Sequence, residues 1–169
     1  MVGQHVKSYS DVVKKASDMG HEVIGHSWDH SYLTKLSEDA IKKQLLDTSA
    51  AIEKATGKKP LMYRPPYGAI NDKLKSVSKS LGYALIYWSV DPMDWKSKNA
   101  NSVYNEIMKN VKDKSIILCH DIHVTTVDAM ERVVPELISR GYQLVTVSEL
   151  MRYNGISLEG GKVYYSGGS

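Results

Sequence analysis

The chain has 169 residues, 22 basic and 19 acidic side chains and one cysteine, enough length for one domain burying about two thirds of its unfolded surface and too few cysteines for an internal disulfide. The net charge of +3 is spread along the chain rather than gathered in blocks with interleaved aromatics, which argues against a nucleic-acid partner. No apolar run approaches the roughly 18 residues of a membrane span, and no signal-peptide pattern opens the chain.

Helical and strand signals alternate. Ser10 caps an amphipathic helix that ends at Gly20, and His21 to Gly25 reads as a strand. Ser37, followed by Glu38 and Asp39, opens a longer helix with Ile41, Leu45, Ile52 and Ala55 on one face, which Gly57 and Pro60 stop. Leu61 to Tyr63 is the next strand, and Asn71 starts a helix through Leu74, Val77 and Leu81 to Gly82. The strand Ala84 to Val90 is followed by a helix from Asn101 through Val103, Ile107 and Val111. The strand Ser115 to Cys119 precedes a helix from Thr126 through Met130, Val133 and Leu137 to Gly141, and Gln143 to Val147 reads as a further strand. Several of these strands lack polar alternation, as strands buried on both faces do. Strand-helix units of about 30 residues imply a parallel sheet with right-handed crossovers, either a barrel or an open doubly wound sheet. The whole chain, 1–169, reads as one domain, with the Gly-rich tail 157–169 as a C-terminal hairpin or edge strand.

Four strings carry chemistry: His26-Ser-Trp-Asp-His30, Arg64-Pro-Pro-Tyr-Gly68, Asp91-Pro-Met-Asp-Trp95 and Leu118-Cys-His120-Asp121. Each begins where an expected strand ends, the face on which parallel α/β folds place their active sites, so the four are expected to converge. The spacing of His26 and His30 turns two imidazoles toward a common point and suits a divalent metal such as Zn²⁺, although surface or capping histidines share it. Asp29 between them is an exposed loop carboxylate or a hydrogen-bond acceptor behind the ligands. Pro65 and Pro66 stiffen a turn that Gly68 frees, which can hold the Tyr67 N–H toward a ligand oxygen, while the charge of Arg64 calls for a carboxylate or an anionic ligand. Asp94 is a helix cap or a functional carboxylate, and Trp95 is core or the wall of a site. His120 is a general acid, a metal ligand or a satisfied core histidine, its protonation set by Asp94 or Asp121. Cys119 reads as a buried, inert thiol. His5, His21 and His123 read as structural, with His123 the one that could line the site.

Together these strings resemble the polysaccharide deacetylase family of the NodB-homology type, carbohydrate esterase family 4, from Val2-Gly-Gln-His-Val6 to about Leu150. The resemblance implies a distorted (β/α) barrel and a divalent metal, Zn or else Co, Ni or Mn, held by His26 and His30. It implies that Arg64 orients the catalytic base, that the Tyr67 N–H helps bind the oxyanion and that His120 is the general acid tuned by Asp94. Trp95 and Leu118 would wall the acetyl pocket. The implied activity is hydrolysis of the N-acetyl group of N-acetylglucosamine-containing glycans of the peptidoglycan or chitin type, outside the cell or at its surface. An acetylxylan esterase would use the same machinery, and an inactive carbohydrate-binding remnant would keep the groove alone. The family's first motif, Thr-Phe-Asp-Asp-Gly, supplies the base and a third metal ligand and does not occur in these 169 residues. The expectation is therefore an N-terminally incomplete barrel whose metal is weakly bound or absent. Its open sheet edges would lead to self-association or be covered by the tail around Val163 to Tyr165.

Overall fold

The computed structural model describes residues 1–168, and Ser169, the last residue of the expected tail element, lies outside them. The protein is mixed α/β with parallel strands, and it packs as two compact units. The first comprises Met1–Tyr87 and Ile156–Tyr164; the second comprises Trp88–Gly155 and the chain from Tyr165 onward.

In the first unit the helices are α1 (Gly3–Ser8), α2 (Ser10–Asp18), α3 (Glu38–Thr56) and α4 (Asp72–Leu81). The longer two start and stop where local chemistry directs. Ser37 Oγ accepts from Ala40 N–H at the start of α3, and Gly57, at φ 72°, ends it in the left-handed conformation that glycine adopts without penalty. Asn71 caps α4 in the same way, through Leu74 N–H. Ser10 is the first residue of α2 rather than its cap, because Tyr9 stands at the cap position without a side-chain bond. The strands β1 (Met62–Tyr63), β2 (Ala84–Ile86) and β3 (Val163–Tyr164) form a parallel sheet in the order β1-β2-β3, with Met62 opposite Ala84 and Leu85 opposite Val163. All residues of β1 and β2 are buried, which is why their sequence shows no alternation. The tail contributes β3, at the edge of this sheet beside β2.

The sheet packs on α3 and α4 through Ile41, Leu45, Tyr63, Leu74, Val77, Tyr83 and Leu85, and Val6, Val13 and Ile52 join α1, α2 and α3. Tyr63 lies at the centre, 1% exposed, and its hydroxyl donates to the Leu45 carbonyl. Burial, with Tyr83 beside it, pushes the Tyr63 hydroxyl far above its ordinary pKa, so it stays a neutral donor. Among the described residues, the expected strand His21 to Gly25 makes a single bridge, at Gly25, which pairs with Tyr63 in parallel.

The second unit holds α5 (Asp94–Ser97), α6 (Ala100–Asn110), α7 (Val124–Ser139) and α8 (Val147–Tyr153). The α6–α7 pair buries Val103, Ile107, Ala129, Val133 and Leu137. Asn99, not Asn101, caps α6 through Ser102 N–H, and α7 begins two residues before Thr126. The segment Ser115 to Cys119 pairs in parallel through one bridge, Val90 with Ile117, extended by Leu118 N–H donating to Val90 O at 2.9 Å. Gln143 to Val147 is not a strand. Leu144 and Val145 are about half exposed, and Thr146 and Glu149 form a reciprocal capping box that starts α8 instead.

The Gly25 bridge has no room for a side chain: a Cβ there would run into the buried Tyr63 ring. Gly25→Ala is expected to cost about 1–3 kcal/mol through forced repacking, read as a lowered urea midpoint at unchanged slope. An unaltered midpoint would show that the bridge is slack.

Candidate functional site

In the first unit two loops meet because two strand ends are paired. Gly25 N–H donates to Met62 O at 3.2 Å and Arg64 N–H donates to Gly25 O at 2.9 Å, so the next residue of one loop, His26, lies against Arg64. The Arg64 carbonyl can only accept, so the 2.5 Å contact makes His26 Nδ1 the protonated nitrogen and leaves Nε2 with its lone pair. Burial, the Arg64 guanidinium and, to a smaller extent, the N-terminal ammonium and His30 pull the His26 pKa down to about 3, against the backbone bond from Arg64, which acts the other way. The ring is therefore neutral at physiological pH, as a metal ligand must be.

The loop from His26 to His30 is held on three sides. Gly3 and Gln4 N–H, at the start of α1, donate to the carbonyls of Ser27 and Trp28 at 2.9 and 3.0 Å, and Trp28 N–H donates to Gln44 Oε1 of α3 at 2.7 Å. Within the loop, His30 N–H donates to the buried Ser27 Oγ at 2.9 Å. The result sets the two imidazoles 4.9 Å apart, centroid to centroid, and nearly edge to face. Asp29 folds back to accept from Ser31 N–H and remains exposed. Tyr67 comes from the other loop. Its ring lies 4.7 Å from that of His30, its backbone is left-handed at φ 59°, and its N–H donates to no acceptor among the described residues. Tyr87 Oη donates to Gly68 O at 3.1 Å and ties down the turn.

The second unit repeats the device. The Val90–Ile117 bridge lies just before two loops, one carrying Asp94 and the other His120. Asp94 is fully buried and accepts four hydrogen bonds: His120 N–H at 2.6 Å, His120 Nδ1–H at 2.8 Å, Thr126 Oγ1–H at 2.9 Å and Trp95 N–H at 2.8 Å. Burial alone would raise its pKa, but the bonds from His120 and Thr126 outweigh it and hold the carboxyl below its ordinary value. An ionised Asp94 thus fixes His120 with Nδ1 protonated. Leu118 is buried, whereas Trp95 is 48% exposed and so is not core. Cys119 Sγ rests 3.8 Å from Met130 Sδ. His123 stands at the cap position of α7 without a capping bond, and His5 and His21 are exposed.

The sequence-derived residues therefore gather as His26, His30, Arg64 and Tyr67 in one unit and Asp94, Trp95, Leu118 and His120 in the other. Two participants escaped the sequence reading. Thr126 was placed only as a helix start, yet its hydroxyl bonds Asp94. Tyr32, two residues past His30, stacks on Tyr67. Of the six non-glycine residues at positive φ, four (Ser27, His30, Tyr67 and Met93) fall in the motif loops, as strain at functional sites does.

For a metal, His26 and His30 are a suitable pair of nitrogen donors, one already neutral with its outer nitrogen unblocked. Among the described residues no group of three or more His, Cys, Asp or Glu side chains is placed to hold an ion, so the fit extends to two positions of a tetrahedral site.

A family model described as polysaccharide deacetylase matches residues 1–86. The peptidoglycan-N-acetylglucosamine deacetylase PgdA of Listeria monocytogenes is 40% identical over 165 residues, covering 98% of this chain and 34% of that protein. This chain thus spans about a third of that curated relative's length. Among solved structures, a T48 deacetylase with substrate has 37% identity and a TM-score of 0.90 over 96% of this chain and 79% of its own. A family 4 acetyl xylan esterase from Clostridium thermocellum, in complex with a cobalt ion, has 31% identity and a TM-score of 0.89 over 98% of this chain and 82% of its own.

The Asp94 bonds generate a pH test. Because the folded carboxyl titrates below its unfolded value, its contribution to stability is full above the ordinary carboxylate range, roughly pH 4, and is lost as pH falls below that range through the lower folded value. Asp94→Asn should cost about 1–3 kcal/mol at pH 7, since an amide nitrogen cannot accept from His120 or Thr126. It should also flatten the fall of the urea midpoint between pH 6 and pH 3; an equally steep fall in the variant would assign the acid sensitivity elsewhere.

Proposed function

The chain belongs to the polysaccharide deacetylase family, and from that premise we propose that it serves hydrolysis of the N-acetyl groups of an N-acetylglucosamine-containing glycan of the peptidoglycan or chitin type. The observation that carries the reading is the buried Asp94 bonded to both His120 N–H and Nδ1–H, an arrangement suited to protonating a leaving amine. The two units together form one deacetylase domain in this reading, and peptidoglycan as substrate puts its work at or outside the cell surface. No helix among the described residues is long and apolar enough to cross a membrane.

Each residue has a part. His26 and His30 would hold a divalent metal, Zn first, which when bound supplies Lewis-acid activation of water and of the acetyl oxygen. The Arg64 carbonyl keeps the His26 ring in the ligand tautomer, and the Arg64 guanidinium would pair with the base carboxylate of the family's first motif, which these 169 residues do not contain and which would take the proton of the attacking water. The Tyr67 N–H donates to the oxygen that gains charge when water adds to the amide carbon. His120, held at Nδ1 by ionised Asp94, would give a proton from Nε2 to the departing nitrogen as the C–N bond breaks, so acetate and a free amine result. Trp95 and Leu118 wall the acetyl methyl. An acetylated xylan would meet the same groups, with an alkoxide in place of the amine.

A second reading has its own observation. With two nitrogen donors and no third ligand group among the described residues, the chain could retain the glycan without turning it over. One experiment separates the two: N-acetylchitopentaose is incubated with the chain and Zn²⁺, and acetate is measured. Catalysis predicts acetate release that His120→Ala lowers by about 10² to 10⁴ with bound zinc unchanged, and that His26→Ala with His30→Ala abolishes together with zinc binding. Binding of the pentasaccharide without any acetate would establish the second reading.

A further inference from the structure

Tyr32 and Tyr67 form an aromatic pair that the chemistry above leaves unused. Their rings are stacked almost parallel, 10° apart and 3.9 Å between centroids, yet Tyr32 is 41% and Tyr67 56% exposed. Stacked aromatic rings are commonly buried in a core; here two sit together at the surface. The position of each is determined by something other than the stack. Tyr67 is held by the turn that Pro65 and Pro66 stiffen, in the left-handed region, which disfavours a bulky aromatic residue unless its surroundings impose it. Tyr32 directly follows the histidine loop and precedes a 3₁₀ turn at Leu33–Lys35, whose Leu33 is anchored in the core. The pair also lies beside His30, whose ring is 4.7 Å from that of Tyr67.

One face of the Tyr32 ring is taken by Tyr67. Over the ring also stands the ammonium of Lys35, 4.7 Å from the centroid and on an exposed side chain. A lysine in water is a mobile cover, and once displaced it remains close enough to donate to a hydroxyl or an acetamide oxygen. A flat apolar face with a hydroxyl at its tip and a flexible ammonium beside it matches a pyranose, which presents C–H bonds on its face and oxygens around its rim. From this juxtaposition we infer that Tyr32 and Tyr67 form a sugar-stacking subsite next to His30, with Tyr32 the residue that sets how firmly the neighbouring N-acetylated pyranose of the glycan is held. The inference rests on the deacetylase reading for the identity of the glycan, but not on turnover by the chain.

The test is a calorimetric or NMR titration of the chain with N-acetylchitopentaose, comparing the native protein with Tyr32→Ala and Tyr32→Phe. Zn²⁺ binding is measured alongside, as a check that the histidine loop is intact. The expected result is a loss of affinity of tenfold or more in Tyr32→Ala, near-native affinity in Tyr32→Phe, which keeps the ring, and the same zinc binding in all three. Equal affinity in the native chain and Tyr32→Ala overturns the subsite, as does a native chain that binds zinc but not the pentasaccharide. A Tyr32-dependent affinity without acetate release leaves the subsite standing and overturns turnover alone.

Discussion

Two single parallel bridges, Gly25 with Tyr63 and Val90 with Ile117, are what the chemistry of each unit depends on. The energy of such pairing is small, about 0.5–1.5 kcal/mol net for each hydrogen bond. Its register is what matters, because a slip of one residue turns every following side chain to the opposite face. His26 is one residue beyond Gly25 and Arg64 one beyond Tyr63, so correct pairing is sufficient to bring the imidazole against a carbonyl that accepts from Nδ1. Asp94 and His120 follow the second bridge by a few residues each, and there the loops must bend further before carboxylate and imidazole meet.

That bending is costly, and the neighbouring structure holds it in place. Left-handed backbone at Ser27, His30, Tyr67 and Met93 costs on the order of 1–3 kcal/mol at each residue. Around the histidine loop the opposing contributions are visible: two amides of α1, the Gln44 side chain and the Ser27 hydroxyl all bond the loop backbone. In the second unit Asp91 Oδ1 accepts from Met93 N–H at 2.9 Å, a local turn that offsets the strain one residue before Asp94. The local strain thus comes with rigid placement of side chains, which suits groups that must meet a substrate with little rearrangement.

Much of this was legible in the sequence, for reasons that differ by element. The helices α3 and α4 announce themselves through Ser37, Asn71, Gly57 and Gly82, because caps are local and act the same way in any context. Strands were read too long. The apolar run Ala84 to Val90 forms a continuous strand only to Ile86 and pairs again through the single bridge at Val90, since pairing depends on where a partner runs and not on the run's own composition. Gln143 to Val147 has the apolarity of a strand, but the Thr146-x-x-Glu149 capping box, also present in the sequence, starts a helix there instead. The histidine spacing and the Arg-Pro-Pro-Tyr-Gly string single out residues that meet in the first unit, whereas Thr126 and Tyr32 join their neighbours through long-range contacts that no local pattern encodes.

The central claim is that strand register presents His26 as a ligand, with Nδ1–H given to Arg64 and Nε2 left open, and that burial beside the Arg64 guanidinium keeps the ring neutral. Long-range proton–nitrogen NMR correlation on the ¹⁵N-histidine-labelled, metal-free chain at pH 6 reads the tautomer of each ring directly. The account predicts that His26 is neutral there, with Nδ1 protonated and Nε2 bare. An imidazolium at His26, or the proton on Nε2, would contradict it.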